Sequence, residues 1–288
     1  MSARIVHTIA SLEEALQPER SAGRVIGLVP TMGALHEGHG RLMDVARAEC
    51  GGVVTSIFVN PIQFDRPDDY ARYPRTLERD TEFCSTRGAD LVFAPSGGEM
   101  YPQPQRSFVQ VERVGDYLCG QFRPGHFRGV ATVVLKLLNI VKPDRAYFGE
   151  KDAQQVAVVR RMVRDLNVPV EIVEVATVRD ADGLALSSRN QHLSVEERRV
   201  APALIRALQR AQRMIAAGAT DAGAVKRAAG QEIAEYPRVR IEYLEIVDPD
   251  DMQPVATIEG AVRVAGAVWV GSTRLIDNLL CVANRSGR

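Results

Sequence analysis

The chain has 288 residues, room for one large domain or two modest ones with a substantial core. Hydrophobic residues make up 45% and charged residues 25%, a globular composition that excludes a disordered chain. Lys plus Arg (36) equals Asp plus Glu (36), which argues against a nucleic-acid binder acting through a broad basic field but leaves room for a local basic pocket. The opening Met1-Ser2-Ala3-Arg4 leads into no long apolar stretch, so no secretory signal is expected. The most apolar runs, Val130 to Val141 and Ala261 to Gly271, are broken by Lys136 and Arg263 and are too short to span a bilayer. Cys50, Cys84, Cys119 and Cys281 form no C-x-x-C pair and fit reduced thiols in a cytosol better than a disulfide framework or a zinc site.

Along the first ~175 residues, β-branched runs alternate with helical patterns, the signature of a parallel sheet built from βαβ units. Arg24 to Val29 reads as a buried strand and Arg41 to Ala48 as the helix after it. Val53 to Val59 is the next strand, stopped by Asn60-Pro61. Thr76 to Thr86 reads as a helix with Gly88 as its stop, and Asp90 to Ala94 as a short strand. Val130 to Val141 is a mostly apolar helix, Arg145 to Phe148 a strand, Ala153 to Leu166 a helix and Glu171 to Val175 a strand. Arg179 to Gln191 has no periodicity and reads as a loop or hinge. The capping-box pattern Ser194-Val195-Glu196-Glu197 opens one long helix to about Ala217. A helix over Ala222 to Tyr236 follows, then strands Arg238 to Val247, Val262 to Val270 and a short one before Leu279. Helices and strands here come in blocks, which predicts a small α+β second domain.

The strongest local signal is Pro30-Thr31-Met32-Gly33-Ala34-Leu35-His36-Glu37-Gly38-His39, between a predicted strand and a predicted helix. Glycines there let backbone N–H groups approach a ligand, and a helix start carries partial positive charge. A first helical turn puts His36 and His39 on one face, where two imidazoles can stabilise charge at a phosphorus under attack. A zinc pair would need H-E-x-x-H; the spacing here is H-E-G-H, with no third ligand nearby, so no bound metal is expected from these residues. Gln63, just past Asn60-Pro61, reaches the carboxyl end of a strand, where open α/β sheets bind ligands, although a solvent-facing amide is the common use of such a residue. In Gly149-Glu150-Lys151-Asp152, Lys151 suits phosphate and Asp152 suits ribose hydroxyls or a hydrated Mg²⁺; a surface turn with a good helix cap reads the same way. Ser187-Ser188-Arg189 suits a triphosphate, or is a linker with a solvated Arg.

H-x-G-H after a first strand resembles the nucleotidyltransferase superfamily. The wider PTMGALHEGH looks like the pantothenate synthetase (pantoate–β-alanine ligase) family, and four further blocks agree in order and spacing. These are Ser56 to Phe64; Gly125 to Val130; Tyr147 to Asp152 with Gln154-Gln155; and Leu186 to Asn190. The resemblance implies an α/β fold, a Rossmann-like doubly wound parallel sheet of the HUP/nucleotidyltransferase type over residues 1–177. A smaller α+β domain over 178–288 would close over the active site.

It implies ATP-dependent condensation of (R)-pantoate with β-alanine, through a pantoyl-adenylate, with ATP as substrate and Mg²⁺ bound with it. His39 would be the proton or hydrogen-bond donor, helped by His36, with Lys151 and Arg189 also catalytic. Met32, Gly33, His36, His39, Gly149, Lys151, Asp152, Leu186, Ser187, Ser188 and Arg189 would bind ATP, and Val178 would meet the nucleotide through its backbone. Gln63 would hold pantoate and border β-alanine, Gln155 would be the second pantoate contact, and Asn60, Arg123 and His126 would line the same site, the last two on a mobile wall. His7 and His192 are left as structural. A homodimer, a cytoplasmic location and no nucleic-acid or membrane partner complete the expectation.

Three positions depart from the family pattern: Gly40, where Leu is common; the Cys50-Gly51-Gly52 link; and His192, where Tyr is common. Another HxGH adenylyltransferase of cofactor biosynthesis is the alternative, but it would need more basic residues for a phosphorylated acceptor. A non-catalytic RNA-associated module lacks its basic stripe. A dinucleotide oxidoreductase lacks G-x-G-x-x-G after the first strand.

Overall fold

Six short strands run parallel in the computed structural model of the chain, which describes residues 2–283. Met1 and 284–288, inside the expected domain bounds, lie outside the described residues. The elements are β1 (Arg4–Val6), α1 (Ile9–Ser21), β2 (Ile26–Thr31), α2 (Glu37–Glu49), β3 (Gly52–Ile57), a 3₁₀ turn at Pro61–Gln63, α3 (Pro67–Arg72), α4 (Leu77–Thr86), β4 (Leu91–Phe93) and α5 (Gly97–Met100). After them come α6 (Cys119–Phe122), α7 (His126–Val141), β5 (Arg145–Gly149), α8 (Ala153–Asp165) and β6 (Glu171–Val175). The strand order is β1-β4-β3-β2-β5-β6. The chain therefore winds one way from β2 to β4 and the other way through β5 and β6, and the reversal at β2/β5 is where doubly wound sheets bind ligands.

The strands read as near-continuous apolar runs because both faces are covered. On one face Val29, Val53 and Val92 pack with Leu42, Met43 and Ala46 of α2 and Cys84 of α4. Against the other runs α7, whose Val130, Val134, Leu137 and Leu138 are all buried, with α1 packed on it through Leu12 and Leu16. Two of the departures from the family pattern, Gly40 and Gly51, have steric causes. A Cβ at Gly40 would lie 3.0 Å from Phe83 Cζ and 3.1 Å from Arg87 Nε, so glycine lets α4 sit close to α2. A Cβ at Gly51 would lie 2.9 Å from Arg24 Cβ.

The chain sorts into two compact units. The sheet belongs to the first: residues up to Val111, Arg123–Glu150 and Val158–Val178. The second takes Glu112–Phe122, Lys151–Ala157 and the chain from Arg179, so 112–122 and 151–157 do not fall with the first domain as the sequence reading had them. Gln154 ties these two segments together. Its Oε1 accepts from Cys119 N–H (3.0 Å), and its Nε2 donates to the carbonyls of Val114 (3.0 Å) and Tyr117 (2.7 Å).

The second unit is built from α9 (Val195–Val200), α10 (Ala203–Ala216), α11 (Ala222–Ala234) and an antiparallel sheet of β7 (Val239–Val247), β8 (Ala261–Val270) and β9 (Thr273–Val282). The single long helix expected after Ser194 is two helices. Pro202 carries no backbone N–H to continue the helical ladder, so the hydrogen bonding breaks there although Ala201 before it stays helical (φ −52°, ψ −35°). The capping box at its start is present, Ser194 Oγ accepting from Glu197 N–H at 3.2 Å and Glu197 answering to Ser194 N–H at 2.8 Å. The short last strand expected is ten residues long. Residues 179–191 are also not a bare linker. Arg179 bridges Ala185 in antiparallel fashion, and Ser188–His192 form a 3₁₀ turn. β1 and α1 had no counterpart in the sequence reading, because β1 is three residues long and the Thr8 cap pairs with Ser11 rather than with Glu or Gln.

Candidate active site

The loop after β2 is shaped by a buried carboxylate. Gly33 (φ 82°) and Ala34 (φ 50°) are both left-handed, a turn whose successive N–H groups converge on one point. Asp80 of α4, 1% exposed, fills that point, accepting from Ala34 N–H and Leu35 N–H at 2.9 Å each and from Thr76 Oγ1 at 3.0 Å. A Cβ at Gly33 would lie 2.9 Å from Asp80 Oδ2, so glycine is required there on both counts. The expectation that backbone N–H groups of this loop meet a ligand is therefore corrected at Ala34 and Leu35, whose N–H groups are turned inward to Asp80.

This loop delivers His36 as the N-cap of α2, which starts at Glu37, four residues earlier than expected. His36 Nδ1 accepts from Gly38 N–H (3.1 Å), and His39 Nδ1 accepts from His36 N–H (3.3 Å). It is a capping box with imidazoles in place of the usual Ser and Glu. The consequence is chemical. With both Nδ1 atoms accepting, the neutral rings carry their proton on Nε2, which is the nitrogen able to donate to a phosphate oxygen. The rings lie 4.2 Å apart, at the positive end of a 13-residue helix.

Beyond β3, the amide cluster around Gln63 is held from four sides. Asn60, 1% exposed, donates from Nδ2 to Gln63 Oε1 (2.9 Å) and to the Gly129 carbonyl (3.3 Å). Its Oδ1 accepts from Tyr101 Oη (2.7 Å); burial pushes that phenol up to about 12, so it stays a donor. Asn60, expected as a substrate contact, thus faces Gln63 and not the solvent and supports that side chain. Gln63 Nε2 donates to Met32 Sδ at 3.0 Å, which links this cluster to the loop after β2.

His126 Nδ1 lies 2.8 Å from the Gln63 carbonyl, and His126 Nε2 lies 3.1 Å from Arg123 Nη1. An arginine can only donate, so Nε2 accepts and Nδ1–H donates to Gln63. Arg123 Nε also pairs with Asp65 Oδ1 at 3.1 Å. Burial raises the Asp65 pKa, but the charge and hydrogen bond of Arg123, a backbone hydrogen bond and the charge of His126 together outweigh it, and the carboxyl titrates below its ordinary value. At Gly129 the first turn of α7 lies against this cluster, and a Cβ there would fall 2.4 Å from the Ile62 carbonyl oxygen and 2.5 Å from Gln63 Cα. Gly129→Ala is therefore expected to lower stability by about 1–3 kcal/mol, the range for overpacking, as read by the denaturant midpoint.

Met32, Gly33, His36 and His39 after β2, Asn60 and Gln63 after β3, Gly149 at the end of β5 and Val178 after β6 all stand at the carboxyl ends of adjacent strands of the first sheet. A Cβ at Gly149 would meet open space.

The remaining expected residues stand in the second unit. A pocket there is lined by Lys151, Ser187, Arg189, Asn190, Arg274 and Asp277 among others. Ser187 Oγ accepts from Arg189 N–H at 3.3 Å, and Ser188 opens the 3₁₀ turn, with Leu186 half-buried just ahead. Asp152 lies 4.0 Å from Lys151 Nζ. Arg274 is engaged by Glu242 through Nε (2.8 Å) and Nη2 (2.5 Å). Of the adjacent glutamines, Gln154 is 6% exposed and structural, while Gln155 is half-buried. His7, read as structural, lies with Nδ1 2.8 Å from the Ala94 carbonyl, and only the donor tautomer satisfies a carbonyl.

Asp80 and Tyr101 were absent from the sequence reading of the site, and Gly129 stood in one of the family blocks without a role of its own. Tyr101 lies in irregular chain, and the role of Gly129 depends on a packing contact. Asp80 did carry one signal, an acid on the apolar face of α4 between Leu77 and Cys84.

Comparison with known proteins follows the same residues. A family model for pantoate–β-alanine ligase matches residues 4–280. The chain is 54% identical over 280 residues to the pantothenate synthetase of Moorella thermoacetica, covering 97% of this chain and 99% of that one. The crystal structure of the pantoate–β-alanine ligase of Thermus thermophilus superposes with a TM-score of 0.91 at 49% identity, over 96% of this chain and 98% of that one. The Francisella tularensis ligase, solved with beta-gamma ATP and β-alanine, gives 0.80 at 33% identity, over 97% and 98%. The chain belongs to the pantoate–β-alanine ligase family.

Proposed function

We propose that this chain joins (R)-pantoate to β-alanine at the expense of ATP, releasing AMP and pyrophosphate. The observation that carries the reading is the pair His36 and His39, each with Nδ1 bound to a backbone N–H, which leaves Nε2 to carry the proton of the neutral ring, at the sheet's reversal point. A carboxylate oxygen of pantoate attacks the α-phosphorus, a P–O bond to the β-phosphate breaks, and pyrophosphate leaves. The amine of β-alanine then attacks the acyl carbon of the pantoyl-adenylate, loses a proton and expels AMP.

His39 donates from Nε2 to the α-phosphate as negative charge builds, with His36 beside it. Preorganised donors of this kind act without reorganising during the reaction. Lys151, Ser187, Ser188 and Arg189 balance the charge of the departing phosphates. Met32, Gly33, Gly149, Asp152, Val178 and Leu186 complete the nucleotide contacts. Mg²⁺ enters with ATP as part of the substrate, and Asp152, with its side chain 47% exposed, is an oxygen donor suited to a hydrated ion. Gln63 and Gln155 hold pantoate, with Gln63 also bordering β-alanine. Asn60, Arg123 and His126 fix Gln63. We further propose a homodimer acting in the cytoplasm, a setting compatible with four buried free cysteines.

The test is release of pyrophosphate and AMP from Mg-ATP with D-pantoate, with and without β-alanine. Pantoate-dependent pyrophosphate release, with AMP turnover requiring β-alanine, is expected. Transfer of the nucleotidyl group to a stable product would instead assign another adenylyltransferase activity.

A further inference from the structure

Two consecutive residues of β9, Asp277 and Asn278, are polar and buried, 5% and 4% exposed. Buried polar side chains in a strand are costly unless every group is met. Stability alone is a poor reason for a buried ion pair, since apolar replacements are often as good. What these two hold gives a better reason. Asp277 takes both arms of Arg179, Nη1 to Oδ2 at 2.6 Å and Nη2 to Oδ1 at 2.9 Å. Arg179 also donates to the Gly183 carbonyl (3.1 Å) and forms the bridge to Ala185. The Ala185 carbonyl accepts from Asn190 Nδ2 (3.0 Å), and Asn190 N–H donates to the Ser187 carbonyl (3.0 Å). The geometry of Ser187 to Asn190 is thereby tied to Asp277.

Asn278 is anchored by its own N–H donating to Asp277 Oδ1 (2.8 Å) and by Arg263, whose Nη1 donates to Asn278 Oδ1. Its Nδ2 then donates to the Lys151 carbonyl at 3.0 Å. One strand position therefore sets the Ser187–Arg189 turn and its neighbour sets the Lys151 peptide. Lys151, Ser187 and Arg189 line the same pocket, with Asp277 in its wall.

We infer that Asp277 and Asn278 are positioning residues for the ATP half of the reaction: together they hold Lys151 and the Ser187–Arg189 turn in register for one polyphosphate. The inference rests on the function proposed above. It makes a distinction that loss of folding would not: the pair serves the step that expels pyrophosphate and is idle when β-alanine attacks a preformed adenylate.

The experiment compares wild type with the isosteric variants Asp277→Asn and Asn278→Asp and the truncation Asn278→Ala. Pyrophosphate release is measured against ATP concentration, and amide formation is measured from supplied pantoyl-adenylate and β-alanine. The expected result is a fall in kcat/KM for ATP on the order of 100-fold, the cost of misplacing charged groups by about an ångström. KM for pantoate and the rate from supplied adenylate should be unchanged. Equal losses in both half-reactions, with a lowered unfolding midpoint, would reduce the pair to a structural role and overturn the inference, as would variants that use ATP normally. Failure of the wild-type protein to release pyrophosphate with pantoate would overturn the proposed function, and this inference with it.

Discussion

Replacement of His39 by alanine is expected to slow pantoate-dependent pyrophosphate release by about 10²–10⁴-fold, the range for loss of a positioned proton or hydrogen-bond donor. The argument depends on the capping box. His39 Nδ1 accepts from His36 N–H, so the donor presented to a phosphate is Nε2–H. Alanine removes that donor and also the N3 half of the capping box, the acceptor of the His36 N–H. His39→Gln separates the two effects. A glutamine at this position of a capping box can still accept from the N-cap N–H but carries no imidazole. The glutamine variant is expected to unfold at the wild-type midpoint and to be as slow as the alanine variant. Near-normal adenylate formation in either protein would remove His39 from the chemistry. His36→Ala should give a smaller rate loss together with a larger structural one, because His36 is itself the N-cap of α2.

Asp80→Ala is expected to have the largest effect on the site without touching a substrate. The carboxylate is 1% exposed and accepts three hydrogen bonds, from Ala34 N–H, Leu35 N–H and Thr76 Oγ1. Each buried donor left without a partner costs about 1–3 kcal/mol, so the loss should reach about 3 kcal/mol or more. The left-handed backbone of Gly33 and Ala34 would then have lost the group that compensates it. An alanine in that conformation costs roughly 1–2 kcal/mol by itself, and the loop would relax and carry His36 with it. A lowered denaturant midpoint and a fall in pyrophosphate release are both expected. Should Asp80→Ala fail to fold, Asp80→Asn keeps one acceptor oxygen and the side-chain volume. It should fold, with a smaller stability loss and slower adenylate formation. Wild-type midpoint and wild-type rate in both variants would show that the loop keeps its shape without the carboxylate.

These expectations differ in how far the sequence alone supports them. His39 is legible in sequence because the role proposed for it needs a residue type at a fixed place after a strand, and H-x-G-H states both. The alternation of strands and helices through Val175 is legible for a similar reason. Burial on both faces of a parallel sheet forces continuous apolar runs, and Gly or Pro marks their ends. The same local rules miss what is short or capped unusually, as with β1 and α1, and they run through Pro202, where one periodic stretch is broken into two helices.

The sequence by itself pointed to the α/β class through its alternating runs, and through its resemblance to a known family it pointed to the reaction class and to most of the groups proposed to touch substrate, because five short blocks keep that family's order and spacing. The tertiary structure alone decided what holds them. Asp80 lies 46 residues from Ala34, Gly129 lies 69 from Asn60, and Asn278 lies 127 from Lys151. Each has a role only because the fold brings it against a distant backbone group. A buried carboxylate, a missing Cβ and a carboxamide facing a peptide carbonyl leave no periodicity in the chain. Their meaning is carried by hydrogen-bond geometry and close packing, which exist only once the strands have paired.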